Sequence, residues 1–306
     1  MPPLDPAPGP CTSITRTRAP RRKHSQAIAS PKIPAPRTVT SILAIRAAPR
    51  HNSGQTSVGR TAHLARITPS HDPRRRRMQD AGKSGLDWRD APNGQGGRIP
   101  VSRRFDDPYF SLDDGLAETT YVFHGGNDLP NRFCDGFHVA ELGFGTGLNL
   151  LATLQLWRQS GAAGRMFFSS FEAYPLERDD YAAAHAAFPS LATEAHQLDP
   201  IWQGATALDL PDLCFRLHLG DARQTLPLWH THADAWFLDG FSPAKNPELW
   251  EPALLNAVFA HTAPQGSAAT YSAAGHVRRS LTNAGFDVTR APGYGRKRHM
   301  TIARKV

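Results

Sequence analysis

The second half of the chain alternates between short apolar segments and longer segments in which apolar residues recur every three or four positions. Short segments bounded by turn residues are typical of buried strands, and the longer period is typical of amphipathic helices. The alternation predicts a doubly wound, mostly parallel α/β sheet that ends in an antiparallel pair. We predict strands at 139–142, 166–171, 214–219, 233–238, 266–271, 287–290 and 299–304, helices at 148–158, 178–188, 223–229, 249–261 and 276–284, and an irregular or helical insertion at 189–210.

Residues 80–136 lack this alternation and are predicted to form a small N-terminal β-rich lobe. Within residues 99–130, short β-like runs such as 121–123 lie between Gly and Asp turns. Phe105, Tyr109 and Phe110 are aromatic residues of this lobe that we expect to pack over the sheet.

Residues 1–79 do not have the pattern of a folded segment. They contain 15 of the 35 Lys and Arg residues but only two acids, Asp5 and Asp72. Their net charge is therefore +13, and the remaining chain has a net charge of −5 within a total of +8. Three interpretations stay open: a disordered basic tail that binds nucleic acid, a transit peptide, or upstream sequence translated before a true start at Met78.

Nothing in the composition indicates a membrane or metal-binding protein. No apolar run approaches the roughly 20 residues that a membrane-spanning helix needs. None of the three cysteines, Cys11, Cys134 and Cys214, belongs to a C-x-x-C pair. We therefore expect a cytoplasmic protein without a metal site.

A glycine-rich loop follows the first predicted strand of the sheet. Gly143, Gly145 and Gly147 lie in the segment Gly-Phe-Gly-Thr-Gly with Thr146, and Glu141 precedes them at the strand end. Glycine allows a tight turn and lets a ligand approach the backbone. A bare strand-to-helix turn is the alternative, but the acid and the three glycines favour a nucleoside cofactor at the carboxyl end of the sheet.

Two further acids follow the next predicted strands. Glu172 is placed to bind ribose hydroxyls, with a solvated loop residue as the alternative. Asp221 is placed either to accept from an adenine amine or to cap a helix. Nicotinamide dinucleotides and S-adenosylmethionine both suit three acids at successive strand ends. The Gly-x-Gly-x-Gly spacing favours S-adenosylmethionine.

The loop after the fourth strand contains residues that do not serve packing. Asp239 lies beside the expected position of the methyl donor, where a carboxylate can orient an amine and accept its proton. Phe241 offers a face for a flat base, and Lys245 and Asn246 offer hydrogen-bond donors. The alternatives are a structural turn acid for Asp239 and a solvated side chain for Lys245.

Five segments of the chain resemble the MnmC-type tRNA methyltransferases, and the resemblance extends from about Pro100 to Thr301. The segments are Pro-Val-Ser-Arg-Arg-Phe-Asp-Asp-x-Tyr-Phe-Ser (100–111), Tyr-Val-Phe-His-Gly-Gly-Asn (121–127), Glu-x-Gly-Phe-Gly-Thr-Gly-Leu-Asn (141–149), Phe-Leu-Asp-Gly-Phe-Ser-Pro-Ala-Lys-Asn-Pro (237–247) and Gly-Tyr-Gly-Arg-Lys-Arg (293–298).

The resemblance implies a Rossmann-like methyltransferase domain at 137–306. It implies methyl transfer from S-adenosylmethionine to the aminomethyl group of 5-aminomethyl-2-thiouridine at the tRNA wobble position. Asp239 matches the catalytic aspartate, and the cofactor positions are matched by Glu141, Gly143, Gly145, Thr146, Gly147, Glu172 and Asp221. Many members continue into an FAD-dependent oxidase. This sequence contains no second glycine fingerprint, so we expect the methyltransferase half alone and a functional coupling to a separate oxidase.

Candidate contacts to the tRNA anticodon loop lie near the C-terminus. Arg296, Lys297 and Arg298 follow Tyr294 in a Gly-Tyr-Gly turn, and we expect them to contact phosphate. A splayed wobble base can stack on Phe241 or Tyr294. The alternative for the three basic residues is a solvated surface.

Two other functions remain open from the residues themselves. A small-molecule amine methyltransferase or an aminopropyltransferase would use the same sheet and the same strand-end aspartate. A non-catalytic module that keeps the cofactor pocket is disfavoured by the many polar and aromatic groups after the fourth strand. The oligomeric state and the tRNAs used are not encoded in any motif.

Overall fold

The computed structural model describes residues 85–90, 98–111 and 114–306. The interpretations offered for residues 1–79 therefore lie outside the described residues.

A small antiparallel sheet precedes the main sheet in the chain. Its strands β1 (Leu86–Asp90), β2 (Arg98–Ser102) and β3 (Asp107–Pro108) lie side by side in that order. This agrees with the β-rich character predicted for this region. The assignment of residues 80–136 as a separate domain stays a prediction.

The predicted β-like run at 121–123 is wrong, because these residues are helical. Helix α1 (Gly115–Thr119) continues directly into a π-helix at Thr120–Gly125. Val122 and Phe123 are buried, whereas Tyr121 is 43% exposed. A run of three residues is too short to distinguish the period of a strand from that of a helix.

The main sheet has eight strands, and helices connect most of them as predicted. The strands are β4 (His138–Leu142), β5 (Met166–Glu172), β6 (Ala207–Asp209), β7 (Leu213–Leu219), β8 (Ala233–Leu238), β9 (Thr262–Thr270), β10 (Asp287–Pro292) and β11 (His299–Arg304). The helices are α2 (Leu148–Ser160), α3 (Arg178–His185), α4 (Ala192–Gln197), α5 (Asp199–Trp202), α6 (Ala222–Thr225), α7 (Pro252–Ala260) and α8 (Gly275–Ala284), with 3₁₀ turns at Pro189–Leu191, Leu226–Leu228 and Pro247–Trp250.

Several helix and strand boundaries differ from the predictions, and β9 begins at Thr262 rather than at the predicted residue 266. The helix predicted at 249–261 begins only at Pro252, because proline has no N–H to donate and is tolerated in the first helical turn. The helix predicted at 178–188 ends at His185. The insertion at 189–210 is largely helical and also contributes the short edge strand β6.

The strand order of the main sheet is β10-β11-β9-β8-β4-β5-β7-β6. Strand β4 pairs in parallel with both β5 and β8, while β11 pairs antiparallel with β9 and β10. After β4 the chain adds β5, β6 and β7 on one side of β4, and it then crosses to the other side of β4 to form β8. Ligands of doubly wound sheets bind at such a reversal, beyond the carboxyl ends of the strands.

Both faces of the main sheet are buried, as a doubly wound sheet requires. Along β8, Ala235 and Phe237 belong to one apolar cluster, and Trp236 and Leu238 belong to the other. The alternation follows the two-residue period of a strand. Within residues 85–90, 98–111 and 114–306, no helix is both long and apolar enough to cross a membrane.

Replacing Trp157 by Ala is expected to lower the free energy of unfolding by about 3–5 kcal/mol, because the change leaves a cavity in the core. The indole is 1% exposed and lies 5.0 Å from the ring of Phe133. Urea denaturation measures the loss. Leu228→Ala is the matched control, since Leu228 is 72% exposed, and it should change the unfolding free energy by less than about 0.5 kcal/mol. Equal losses for the two variants would contradict this assignment of the core.

Candidate active site

The loop between β4 and α2 requires glycine at two of its positions. Gly143 has a φ of +89°, and a Cβ there would lie 2.6 Å from the carbonyl oxygen of Asp239. Gly147 has a φ of +74°, and a Cβ there would lie 2.8 Å from the ring of Trp202. The loop therefore turns in a conformation that side chains disfavour and packs directly against the end of β8.

A cavity of about 1100 Å³ lies at the carboxyl ends of the parallel strands. Its walls combine strand-end residues with aromatic residues of the N-terminal segment, including Phe105, Tyr109 and Phe110. A single small ligand fills a pocket of roughly 300–1,000 Å³, so this cavity has room for a nucleoside cofactor and part of a second molecule.

The cavity brings together most of the residues selected from the sequence. Those that line it are Gly143, Gly145, Thr146, Glu172, Asp221, Asp239, Phe241, Asn246, Tyr294, Arg296 and Lys297. Glu141, Gly147, Lys245 and Arg298 are not among its lining residues.

Asn149, in the first turn of α2, joins Asp239 to the rest of the site. Its side-chain nitrogen donates to Asp239 Oδ2 at 2.7 Å and to Glu141 Oε1 at 2.8 Å. Its side-chain oxygen accepts from the hydroxyl of Thr119 at 2.9 Å. Both groups of the amide are thus used, and they hold the half-buried carboxylate of Asp239 in one orientation.

The environment of Asp239 disfavours its charged form. Burial raises the pKa of Asp239 to about 7, and the charge of Glu118 adds to the rise. The hydrogen bond from Asn149 and the charge of Lys297 oppose it. A carboxyl group with a pKa near neutrality is suited to accept a proton during a reaction.

Glu141 is fully buried beneath the cavity. Its second carboxylate oxygen accepts from Ser170 Oγ at 2.7 Å, so both oxygens have donors inside the protein. Burial raises the pKa of Glu141 well above its usual range. In this structure Glu141 contacts Asn149 and not the cavity, so a direct contact with the cofactor stays a prediction.

Glu172 and Asp221 both lie at the cavity wall, but they are held differently. The carboxylate oxygens of Glu172 accept from the backbone N–H groups of Gly145 and Tyr174, at 3.1 and 2.7 Å. Asp221 caps α6 through the Arg223 N–H and pairs with the Arg223 guanidinium at 2.6 Å. The helix-cap alternative for Asp221 is therefore present in the structure, and its role at an adenine stays a prediction.

The loop after β8 packs against and hydrogen-bonds to the small N-terminal sheet and its connecting turn. The ring of Phe241 lies 4.8 Å from that of Phe105 and 4.9 Å from that of Tyr109. The N–H of Ser242 donates to Asp107 Oδ2 at 2.8 Å. Lys245 pairs with the Asp106 and Asp107 carboxylates, so its ammonium group links the loop to β3, and a contact with substrate stays a prediction.

The basic turn after β10 lies partly at the mouth of the cavity. Its residues Arg296, Lys297 and Arg298 are exposed. The Lys297 ammonium lies 2.6 Å from Glu118 Oε1 and 4.0 Å from the ring centre of Tyr271. Lys297 is therefore engaged with the protein itself rather than fully solvated.

Three cavity residues of clear chemical interest were not selected from the sequence: Glu118, Asn149 and Tyr271. The sequence does carry a signal for Asn149, which is a polar residue among the leucines that begin the helix after the glycine loop. Glu118 lies in a region predicted as β-rich, where an acid carries no signal for a binding site. Tyr271 is the last residue of a predicted strand, where an aromatic residue is common and indicates no function.

Comparison with protein families finds a methyltransferase family that matches the C-terminal part of the chain. Residues 189–306 match a family described as S-adenosyl-L-methionine-dependent methyltransferase.

Two relatives are more specific. The chain is 46% identical over 235 residues to the tRNA 5-methylaminomethyl-2-thiouridine biosynthesis bifunctional protein MnmC of Caulobacter sp. (strain K31). That match covers 72% of this chain but 38% of the relative, so the chain spans well under half of the relative's length. The crystal structure of MNMC2 from Aquifex aeolicus superposes with a TM-score of 0.60 and 27% identity, over 72% of this chain and 71% of that one.

These matches confirm three predictions: the Rossmann-like methyltransferase fold, S-adenosylmethionine as the cofactor, and the resemblance to MnmC proteins. The individual site residues stay predictions, supported by the geometry described above.

Replacing Asp239 by Asn is expected to stabilise the fold increasingly as the pH rises. The folded Asp239 has a pKa of about 7, against 3.8 as the ordinary value. Between these pH values the unfolded chain gives up this proton before the folded chain does, so the wild-type free energy of unfolding falls as pH rises. The advantage of Asp239→Asn should grow by roughly 2–4 kcal/mol between pH 4 and pH 8.

Urea denaturation across this pH range measures the difference. Asp287→Asn, at an exposed position of β10, is the control and should show no such growth. A constant difference between Asp239→Asn and wild type would mean that Asp239 is not perturbed by its environment.

Proposed function

We propose that this chain, which belongs to the S-adenosyl-L-methionine-dependent methyltransferases and is a homologue of MnmC, methylates the aminomethyl group of 5-aminomethyl-2-thiouridine at the wobble position of tRNA. The observation that carries the proposal is the placement of Asp239, whose pKa burial raises to about 7, in a cavity lined both by the glycine loop and by aromatic residues of the N-terminal segment. The relation to a protein of 5-methylaminomethyl-2-thiouridine biosynthesis supports this substrate.

The residues present fit the cofactor. The backbone of Gly143 and Gly145 faces the cavity without side chains, and Glu172 presents a carboxylate for the ribose hydroxyls. Asp221 and the start of α6 lie next to them at the adjacent strand end. When bound, S-adenosylmethionine supplies an electrophilic methyl group on a sulfonium, which is neutralised when the methyl group leaves.

Asp239 holds the substrate amine and removes its proton. A primary alkylammonium has a pKa near 10 in water, so the amine reaches the site charged and must lose a proton to expose its lone pair. Asp239 would accept that proton, the nitrogen would then form the new N–C bond, and the electrons of the broken C–S bond would remain on sulfur. Asn149 keeps the carboxylate aimed into the cavity throughout.

The acceptor side of the cavity suits a base presented by a nucleic acid. Phe241 and Tyr294 line it with aromatic rings on which a splayed base can stack. Arg296 and Lys297 lie at the same wall and are placed to contact phosphate. We propose that tRNA binds here in the cytoplasm, and that a separate FAD-dependent oxidase supplies the aminomethyl group.

The direct test is methyl transfer with purified protein. Labelled S-adenosylmethionine and tRNA carrying 5-aminomethyl-2-thiouridine should yield label in 5-methylaminomethyl-2-thiouridine after nucleoside digestion. Asp239→Asn should lower kcat at least about 100-fold, as expected when a proton acceptor is lost. Polyamines and simple amines serve as competing acceptors, and labelling of these but not of tRNA would contradict the proposal.

Replacing Asn149 by Ala should move the pH profile of the reaction. The variant loses the hydrogen bond that lowers the pKa of Asp239, so the ascending limb of kcat/KM should shift about one pH unit towards alkaline pH. Gln155→Ala, on the same helix, is the matched control because Gln155 bonds to Ser190 and does not line the cavity. A lower kcat without a shift of the limb would mean that Asn149 serves the fold and not Asp239.

A further inference from the structure

The ammonium group of Lys297 lies in a cage formed by two cavity residues. Glu118 Oε1 is 2.6 Å away, and the ring centre of Tyr271 is 4.0 Å away. The Glu118 side chain is only 12% exposed, whereas that of Lys297 is 45% exposed. A carboxylate and an aromatic face are the two groups that proteins use to hold an organic cation.

The cage is built into the same framework as Asp239. Glu118 precedes Thr119, whose hydroxyl donates to Asn149, and Asn149 donates in turn to Asp239. The hydroxyl of Tyr271 donates to the carbonyl oxygen of Gly240 at 2.7 Å, one residue beyond Asp239. The charges of Glu118 and Lys297 both act on the pKa of Asp239, so the cage lies within electrostatic range of the proton acceptor.

The end of a lysine side chain and the reacting group of the proposed substrate are chemically the same, a methylene bearing a primary ammonium. We infer that Glu118 and the face of Tyr271 form the subsite for the substrate's aminomethyl ammonium. The Lys297 ammonium occupies this subsite in the structure, and the substrate's ammonium displaces it on binding. This inference rests on the proposed function, because it names how that substrate's amine is recognised.

Displacement of Lys297 fits its position in the chain. The residue belongs to an exposed turn, where its N–H donates to the carbonyl oxygen of Tyr294. Once displaced, its ammonium is free to contact a phosphate of the same tRNA. Glu118 would then select a cationic substituent on the base over a neutral one of equal size, before Asp239 removes the proton.

The first test uses Glu118→Gln, which removes the charge and keeps the shape. The KM for tRNA carrying 5-aminomethyl-2-thiouridine should rise about tenfold, which is the loss of roughly 1.4 kcal/mol of binding. The Kd for S-adenosylmethionine should stay within about twofold. Glu118→Asp should recover part of the affinity. Asp209→Asn, which removes a carboxylate paired with Arg165 and Arg216 outside the cavity lining, controls for a general effect of lost charge.

The second test asks whether Glu118 recognises the positive charge of the bound nucleoside. The free nucleosides 5-aminomethyl-2-thiouridine and 5-hydroxymethyl-2-thiouridine are compared as inhibitors of wild type near pH 7, where only the first is cationic. Wild type should bind the cationic nucleoside about tenfold more tightly, and Glu118→Gln should bind the two alike. Lys297→Ala should bind the cationic nucleoside several-fold more tightly than wild type, because the competing ammonium is gone.

The outcomes separate this inference from the proposed function. If wild type methylates tRNA but Glu118→Gln retains both its KM and its preference for the cationic nucleoside, the subsite is overturned and the function stands. If wild type transfers no methyl group to tRNA, the proposed function fails and the subsite fails with it.

Discussion

The site depends on the amide of Asn149, which lies between two carboxyl groups at adjacent strand ends. Glu141 is the penultimate residue of β4 and Asp239 directly follows β8. Two neighbouring carboxylates that are withdrawn from water repel each other and lose solvation. Asn149 donates to both and accepts from Thr119, so one side chain joins β4, β8, α1 and α2. Flipping the amide would turn its oxygen towards both carboxylates. The site therefore has a single arrangement, and Asp239 keeps one orientation.

The two sides of the cavity have different origins in the fold. The proposed cofactor side is made by the parallel sheet, where the loop at Gly143 packs against Asp239. The proposed acceptor side is made by additions to the sheet, in which Phe105 and Tyr109 pack against Phe241 and Asp107 accepts a hydrogen bond from the N–H of Ser242. The small N-terminal sheet is thus part of the site, because its residues supply ring contacts and a hydrogen bond that hold the loop after β8.

Much of the fold follows from local patterns, and the exceptions have physical causes. The buried strands were predicted within one or two residues except β9, which begins four residues before its predicted start, because apolar periodicity reports burial on each face of the sheet. The run at 121–123 was misassigned because three residues cannot reveal a period. The acids at 172, 221 and 239 reach one cavity because parallel strands end at the same edge.

The sequence alone determined the strand-end acids, the glycine turn and the class of cofactor, since these depend on residue type and short-range spacing. Only the tertiary structure decided which polar groups line the cavity and which pair with each other. Lys245 contacts Asp106, which is 139 positions away in the sequence, and Lys297 pairs with Glu118, which is 179 positions away. Such pairings arise from the three-dimensional path of the chain, and no local pattern encodes them. For the same reason Glu141, the first acid of the glycine motif, supports Asn149 from beneath the cavity.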